Sequence, residues 1–181
     1  MSLSERRLTE ARAKGQKALS LAGTLYQDTA IRAQLVLSTT QVYSGAAREG
    51  RKSSEEALAL AVRAGDQWLV SRSTLVLAET MLESGDAPSA LTTAFRAQEN
   101  FARTGDQESE WRAWLIAARA SQRTGDQTKA REYASHAAEL LANLEQKWGT
   151  EAFNGYLARP DIKDSHKRLG EITVEAKQTS P

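Results

Sequence analysis

Three arginines recur at one interval of 40 residues, Arg32, Arg72 and Arg112, each followed three places on by a leucine: Leu35, Leu75 and Leu115. A guanidinium is a planar fork of donors that fits a carboxylate bidentately, so a row of them is suited to holding acidic groups. The leucines one helical turn further on would give that row an apolar neighbour. Another turn brings Thr39, Glu79 and Arg119, and the next Val42, Leu82 and Gln122. The competing reading pairs each arginine with a nearby carboxylate such as Glu79 or Glu110, or leaves it solvated. Exposed pairs contribute only about 0–1 kcal/mol, whereas a desolvated contact to a ligand carboxylate reaches ~1.5–3 kcal/mol. Trp68, Trp111 and Trp114 fall in the same segments. An exposed Trp is a frequent binding anchor, but a Trp more often fills a core. Trp114 is expected in the core, and Trp68 at least partly in the open.

Other chemistry is sparse. The two histidines, His136 and His166, lie in unrelated segments, and a catalytic or metal role needs converging partners. His136 is expected on a helix face between Ala134 and Ala137. No nucleophile elbow, glycine-rich phosphate loop or aspartate-rich calcium loop occurs. The Gly-Asp-Gln triplets at 65–67, 105–107 and 125–127 are explained as turns plus caps. An enzyme is therefore not expected, nor is a cofactor or a metal. The chain has no cysteine, which excludes disulfides and thiolate metal sites and fits a reducing cytoplasm. A net charge of +1 lacks the basic excess from which nucleic-acid binders draw their affinity. No apolar run approaches the ~20 residues that span a bilayer, and the N-terminus leads into charge rather than a signal-peptide core.

The elements that would carry the arginines follow from an internal repeat. Arg63-Ala64-Gly65-Asp66-Gln67 returns as Arg103-Thr104-Gly105-Asp106-Gln107, and Ser84-Gly85-Asp86 as Thr124-Gly125-Asp126, each at an offset of 40. Val36, Val76 and Ile116 keep the same step, as do Ala57, Ala97 and Ala137. Three units result, about 23–62, 63–102 and 103–142. Each holds two helices. The first runs from about Gln67 to Ser84, with Asp66 and Asp106 placed as N-caps. Gly85 and Gly125 stand where the chain must leave the helix, often through a left-handed residue. Pro88 suits the first turn of the second helix. The short link makes the pair antiparallel. Small residues (Ala78, Ala90, Ala94 and Ala97, with Ala118, Ala130, Ala134 and Ala137) let the axes approach. Stacked pairs would then share one continuous core.

The spacing Gly85, Ala90, Ala97, repeated as Gly125, Ala130, Ala137 and more loosely as Gly45, Gly50, Ala57, resembles the tetratricopeptide-repeat (TPR) family. Ser38, Ala78 and Ala118 match the family's small residue late in the first helix. Trp114 matches its early Trp, where the other units have Gln34 and Thr74. Its usual aromatic before the glycine is replaced by Gln41, Met81 and Ser121. The repeat is longer than the common form and is similar to the long variants of kinesin light chains and bacterial signalling proteins. The resemblance covers roughly residues 8–148. It implies an all-α, right-handed α-solenoid whose first helices line a concave face. There Arg32, Arg72 and Arg112 would form a ladder and hold an extended or helical peptide with acidic and apolar side chains. The chaperone-type carboxylate clamp of some members is not matched, since it needs Lys and Asn where Leu35, Leu75, Thr39 and Glu79 stand.

The ends depart from the repeat. Thr9-Glu10-Ala11-Arg12 resembles Thr128-Lys129-Ala130-Arg131, so residues 8–22 read as a second helix lacking its partner, expected to be a partial repeat of a larger protein, with a simple N-terminal cap as the alternative. The array is expected to span residues 1–148, with capping helices in 149–181 and a disordered tail from Lys177. Phe153, Tyr156 and Leu157 mark a short amphipathic turn broken at Arg159-Pro160-Asp161. Ile162, Leu169 and Ile172 then give one apolar stripe to lay over the last repeat. The ending also looks like the tails of TPR arrays in bacterial multidomain kinases and ATPases. A protein-interaction module is the leading expectation. Self-association through Leu19 and Leu21 of the unpaired first helix is the alternative, and reading single-stranded RNA a lesser one.

Overall fold

The forty-residue period is a period of helices. The computed structural model describes residues 8–23 and 25–178. Among them run α1 (Leu8–Ala22), α2 (Gln27–Tyr43), α3 (Ala47–Ala64), α4 (Gln67–Glu83), α5 (Ala87–Thr104), α6 (Gln107–Arg123), α7 (Gln127–Trp148), α8 (Thr150–Leu157) and α9 (Pro160–Gln178). Each helix packs on the next from α1 to α7, and the first helices α2, α4 and α6 also touch one another in order. This is an α-solenoid, as the repeat requires.

Local chemistry accounts for the boundaries. Asp66 accepts from the Leu69 amide at 2.9 Å and Asp106 from the Ser109 amide at 3.0 Å, capping α4 and α6. Asp86 and Asp126 cap α5 and α7 in the same way, through the amides of Ser89 at 3.2 Å and Lys129 at 3.0 Å. Of the four caps, only Asp86 lies outside the Gly-Asp-Gln triplets. Gly85 and Gly125 take φ of 91° and 86°, the left-handed exits expected of them. The first unit is less regular. Tyr26 and Ala46 precede α2 and α3 and give no side-chain cap.

Packing runs through the small residues. Ala78, Ala90, Ala97, Ala118, Ala130 and Ala137 are fully buried. Gly50 marks the tightest approach. A Cβ there would stand 2.8 Å from the Ser38 carbonyl oxygen and 2.5 Å from Val42 Cγ2. The Ser38 hydroxyl donates to the Gly50 carbonyl at 2.7 Å across the same contact. Glycine stands where the later units have alanine because α2 and α3 leave no room for the methyl.

The ends complete the array. Helix α1 packs on α2 through buried Ala11, Gly15 and Ala22, in the manner of a second helix. Ile162, Leu169 and Ile172 of α9 are buried with Trp111, Leu115 and Ala118 of α6, so the C-terminal stripe covers the last repeat. Trp111 Nε1 donates to the Tyr156 hydroxyl at 2.8 Å and ties α8 to the same cluster. Of the tail expected to be disordered from Lys177, only Lys177 and Gln178 fall within the described residues. Helix α9 runs on through Gln178, its Glu-Ala-Lys-Gln ending being made of good helix formers. Residues 179–181 lie outside the described residues.

Candidate partner-binding groove

The inner surface of the array holds a groove of about 410 Å³ lined by α2, α4 and α6, together with Leu8 of α1 and Ser165 of α9. The forty-residue register places Arg32, Arg72 and Arg112 there together, each on the sixth residue of its helix. Leu35, Val36, Leu75 and Val76 supply the apolar wall. Trp68 stands one turn before Arg72 and remains 47% exposed. The Arg32 guanidinium lies over its ring at 4.5 Å, and that of Arg72 reaches the same ring at 5.7 Å. Two cations against one indole are held in place without being neutralised.

The charge on this wall is unbalanced. Among the described residues no carboxylate lies within ion-pair distance of Arg32, Arg72 or Arg112. Glu79 and Glu110, the partners the competing reading would use, are engaged elsewhere. Glu79 accepts from the Tyr43 hydroxyl at 2.6 Å and Glu110 from Gln98 Nε2 at 2.8 Å. Arg72 donates to the Ser109 hydroxyl, at 3.3 Å. Burial, and then the like charge of Arg112, pull the Arg72 guanidinium below its ordinary value. Arg32 and Arg159 add to the effect, and Asp106 opposes it. A cation that is half-buried, crowded by cations and left without a counter-ion is disfavoured until an anion arrives.

One turn further along, the register stops being a free row. Thr39 lines the groove but its hydroxyl bonds back to the Leu35 carbonyl at 2.9 Å. Arg119 pairs with Glu83 at 2.5 Å. Glu83 also meets Arg123 at 3.2 Å and Arg168 of α9 at 3.4 Å. Burial alone would raise the Glu83 carboxyl, but Arg119 and Arg123 outweigh it and hold the group below its usual range. The charge of Glu79, with burial, pushes the Tyr43 phenol up, so it stays protonated as the donor to Glu79.

The remaining residues of the sequence-derived set divide by position. Leu82 is fully buried in the core beside Leu75 and Ala87 and does not reach the groove. Leu115 is 4% exposed under α9. Gln122 lies past the far side of Arg119, beside Lys167 and Glu171 of α9. Tyr43 and Ser165 line the groove and fall outside that set, as does Glu83, the partner of Arg119 and Arg168. Tyr43 and Glu83 are the last residues of α2 and α4, a register shared with Arg123 whose mixed residue types hid it. The other tryptophans separate: Trp111 is fully buried, and Trp114 is partly buried among Phe95, Tyr133 and His136. Among the described residues no group of three or more acidic or histidine side chains could hold a metal, and no helix is long and apolar enough to cross a membrane.

No protein-family profile and no curated protein matches the sequence. Solved structures do. RapI in its apo form superposes with a TM-score of 0.71 at 11% identity, covering 98% of this chain and 79% of that one. A Podosopora anserina putative kinesin light chain with nearly identical TPR-like repeats gives a TM-score of 0.62 at 16% identity, covering 99% of this chain and 95% of that one. A variant of that protein gives 0.62 at 15%, covering 98% and 94%. At such identities the likeness concerns the fold, and it agrees with the helix pairs, the glycine exits and the buried alanines described above. The protein is a TPR-like helical-repeat solenoid.

Proposed function

We propose that this chain is a protein-interaction scaffold, not an enzyme, and that its inner groove holds a segment of a partner protein carrying acidic and apolar side chains. The observation that carries this reading is the arginine row. Three guanidinium groups line an apolar groove with no carboxylate partner among the described residues, and a neighbouring indole orients two of them. A self-sufficient fold pairs or solvates its cations. An unpaired row with Arg72 and Arg112 half-buried costs stability and is explained by an incoming anion. The setting we assign is the cytoplasm, within a larger regulatory or signalling protein.

The test is binding of matched labelled peptides, one with glutamates among leucines and one with glutamines in their place. Arg72→Ala with Arg112→Ala should abolish the preference for the acidic peptide and leave the helical melt nearly unchanged. An unaltered preference in the double variant refutes the groove. Self-association is supported by a separate observation. Leu21, Leu25 and Tyr26, 72%, 87% and 62% exposed, crowd the turn between α1 and α2. Light scattering over a range of concentrations decides it, and a strict monomer removes it.

A further inference from the structure

We propose that the arginine groove is also the site of a small dianion, a phosphate monoester on a compact apolar body, which competes with the partner's acidic segment and so gates its capture. This rests on the acidic-groove reading above and adds its regulation.

The arginines face one enclosed space. The guanidinium groups of Arg32 and Arg72 come from neighbouring repeats and converge on the single Trp68 ring, at 4.5 and 5.7 Å. Arg112 lines the same cavity, and its charge bears on Arg72 more strongly than that of Arg32 does. Besides α2, α4 and α6, the cavity is lined by Leu8 of α1 and Ser165 of α9. Among the described residues these first and last helices do not pack on one another. The array therefore curls around the space, and its volume of about 410 Å³ falls within the ~300–1,000 Å³ of small-molecule sites.

Charge selects the class of ligand. Arg32, Arg72 and Arg112 line the cavity against one carboxylate among the described residues, Glu79, which accepts from the Tyr43 hydroxyl at 2.6 Å. The lining thus carries two positive charges in excess. A lone carboxylate leaves one of them unanswered. A phosphate monoester brings close to two negative charges and three acceptor oxygens on one centre, which serve several guanidinium forks at once. The rest of the molecule should be apolar, since Leu35, Val36, Leu75 and Val76 form the wall. A nucleotide base finds no open platform, because Arg32 already lies over the Trp68 ring. Arg32 is exposed while Arg72 and Arg112 are half-buried, so the anion enters past Arg32 and settles against the deeper pair. There it occupies the groups that the partner's acids would use.

Phenyl phosphate is the probe, compared with benzoate, which keeps the ring but has one charge, and with inorganic phosphate, which lacks the ring. Each is titrated calorimetrically into the full chain and then used to displace the labelled acidic peptide. Phenyl phosphate should bind at least about tenfold tighter than either control, the worth of one further charge-assisted contact, and should displace the peptide. Arg112→Gln should remove that margin. So should Arg32→Gln, which alters an exposed side chain and leaves the core intact. If the peptide binds and phenyl phosphate neither binds nor displaces it, this inference falls and the partner reading stands. If phenyl phosphate binds through the arginines and the peptide does not bind, the partner reading falls and the small-molecule site stands. Phenyl phosphate binding no tighter than the controls, or binding indifferent to both substitutions, overturns the proposal.

Discussion

Replacing Arg72 by methionine should leave the free protein as stable as before, or more so, and still cripple binding. The methionine keeps most of the stem's volume and removes the charge. What is lost is small. The hydrogen bond to Ser109, 3.3 Å long, is worth about 1 kcal/mol. The contact with Trp68 at 5.7 Å adds about 0.5 kcal/mol. What is relieved is comparable. Arg112 and Arg32 stand roughly 9 Å away by helix spacing, and at an effective dielectric near ~20 each repels Arg72 by about 2 kcal/mol before ionic screening. Screening over a Debye length of about 8 Å removes more than half of that. The desolvation of a half-buried guanidinium is relieved as well. The balance falls between about zero and 1 kcal/mol in favour of the variant. Binding responds differently. A charge-assisted bond to a ligand carboxylate is worth ~1.5–3 kcal/mol, a loss of about 10- to 150-fold in Kd. Urea denaturation of both proteins, paired with anisotropy on the acidic peptide, measures both sides. Raising the salt should stabilise the wild type more than the variant, because only the wild type has the repulsion to screen. A variant destabilised by more than about 2 kcal/mol that binds as well as the wild type would show Arg72 to be a structural residue and defeat the reasoning.

Other perturbations follow from the same geometry. Trp68→Ala should weaken acidic-peptide binding about tenfold or more by freeing both guanidinium groups, and should cost little stability because the ring is 47% exposed; calorimetric titration reads it. Glu83→Gln should destabilise the chain by about 1–3 kcal/mol, since Arg119, Arg123 and Arg168 lose a common partner that is only partly buried. Because the Glu83 carboxyl is held low, its stabilisation is complete above the unfolded carboxyl's range and fades as pH falls through the folded value. The acid limb of a stability–pH profile should therefore flatten in Glu83→Gln, and an unchanged limb would count against the link. Gly50→Ala should cost about 1–3 kcal/mol in a thermal melt, because the added methyl meets the Ser38 backbone oxygen and α2 must move off α3. A melt unchanged from the wild type would mean that contact is looser than described.

Much of the fold could be read from the chain because it is made of short-range instructions used three times. Asp66 and Asp106 cap residues three places on, and Gly85 and Gly125 turn the chain where they stand. The alanines at 90, 97, 130 and 137 are buried because a helix repeats its faces every few residues. The positions of the candidate site were legible to the same extent, since a constant period brings equivalent residues of α2, α4 and α6 onto one surface. The state of each side chain there was not. Glu79 and Glu110, which the competing reading would pair with the arginines, bond to Tyr43 and Gln98 instead. Leu82 shares the ladder's period but points into the core. A forty-residue step fixes which residues are equivalent without fixing which way each one faces.

By itself, then, the sequence determined the helix pairs, their stacking and the arginine register, because each depends on residues within a few turns or on strict repetition. Only the tertiary structure decided how far the groove stays open. Helix α9 lies over Leu115 and sends Arg168 to Glu83 across 85 positions of chain. Trp68 gathers arginines from two repeats, and no carboxylate among the described residues closes on them. Those outcomes rest on contacts between distant segments, where burial and charge balance are set by what arrives from elsewhere in the fold and not by local pattern.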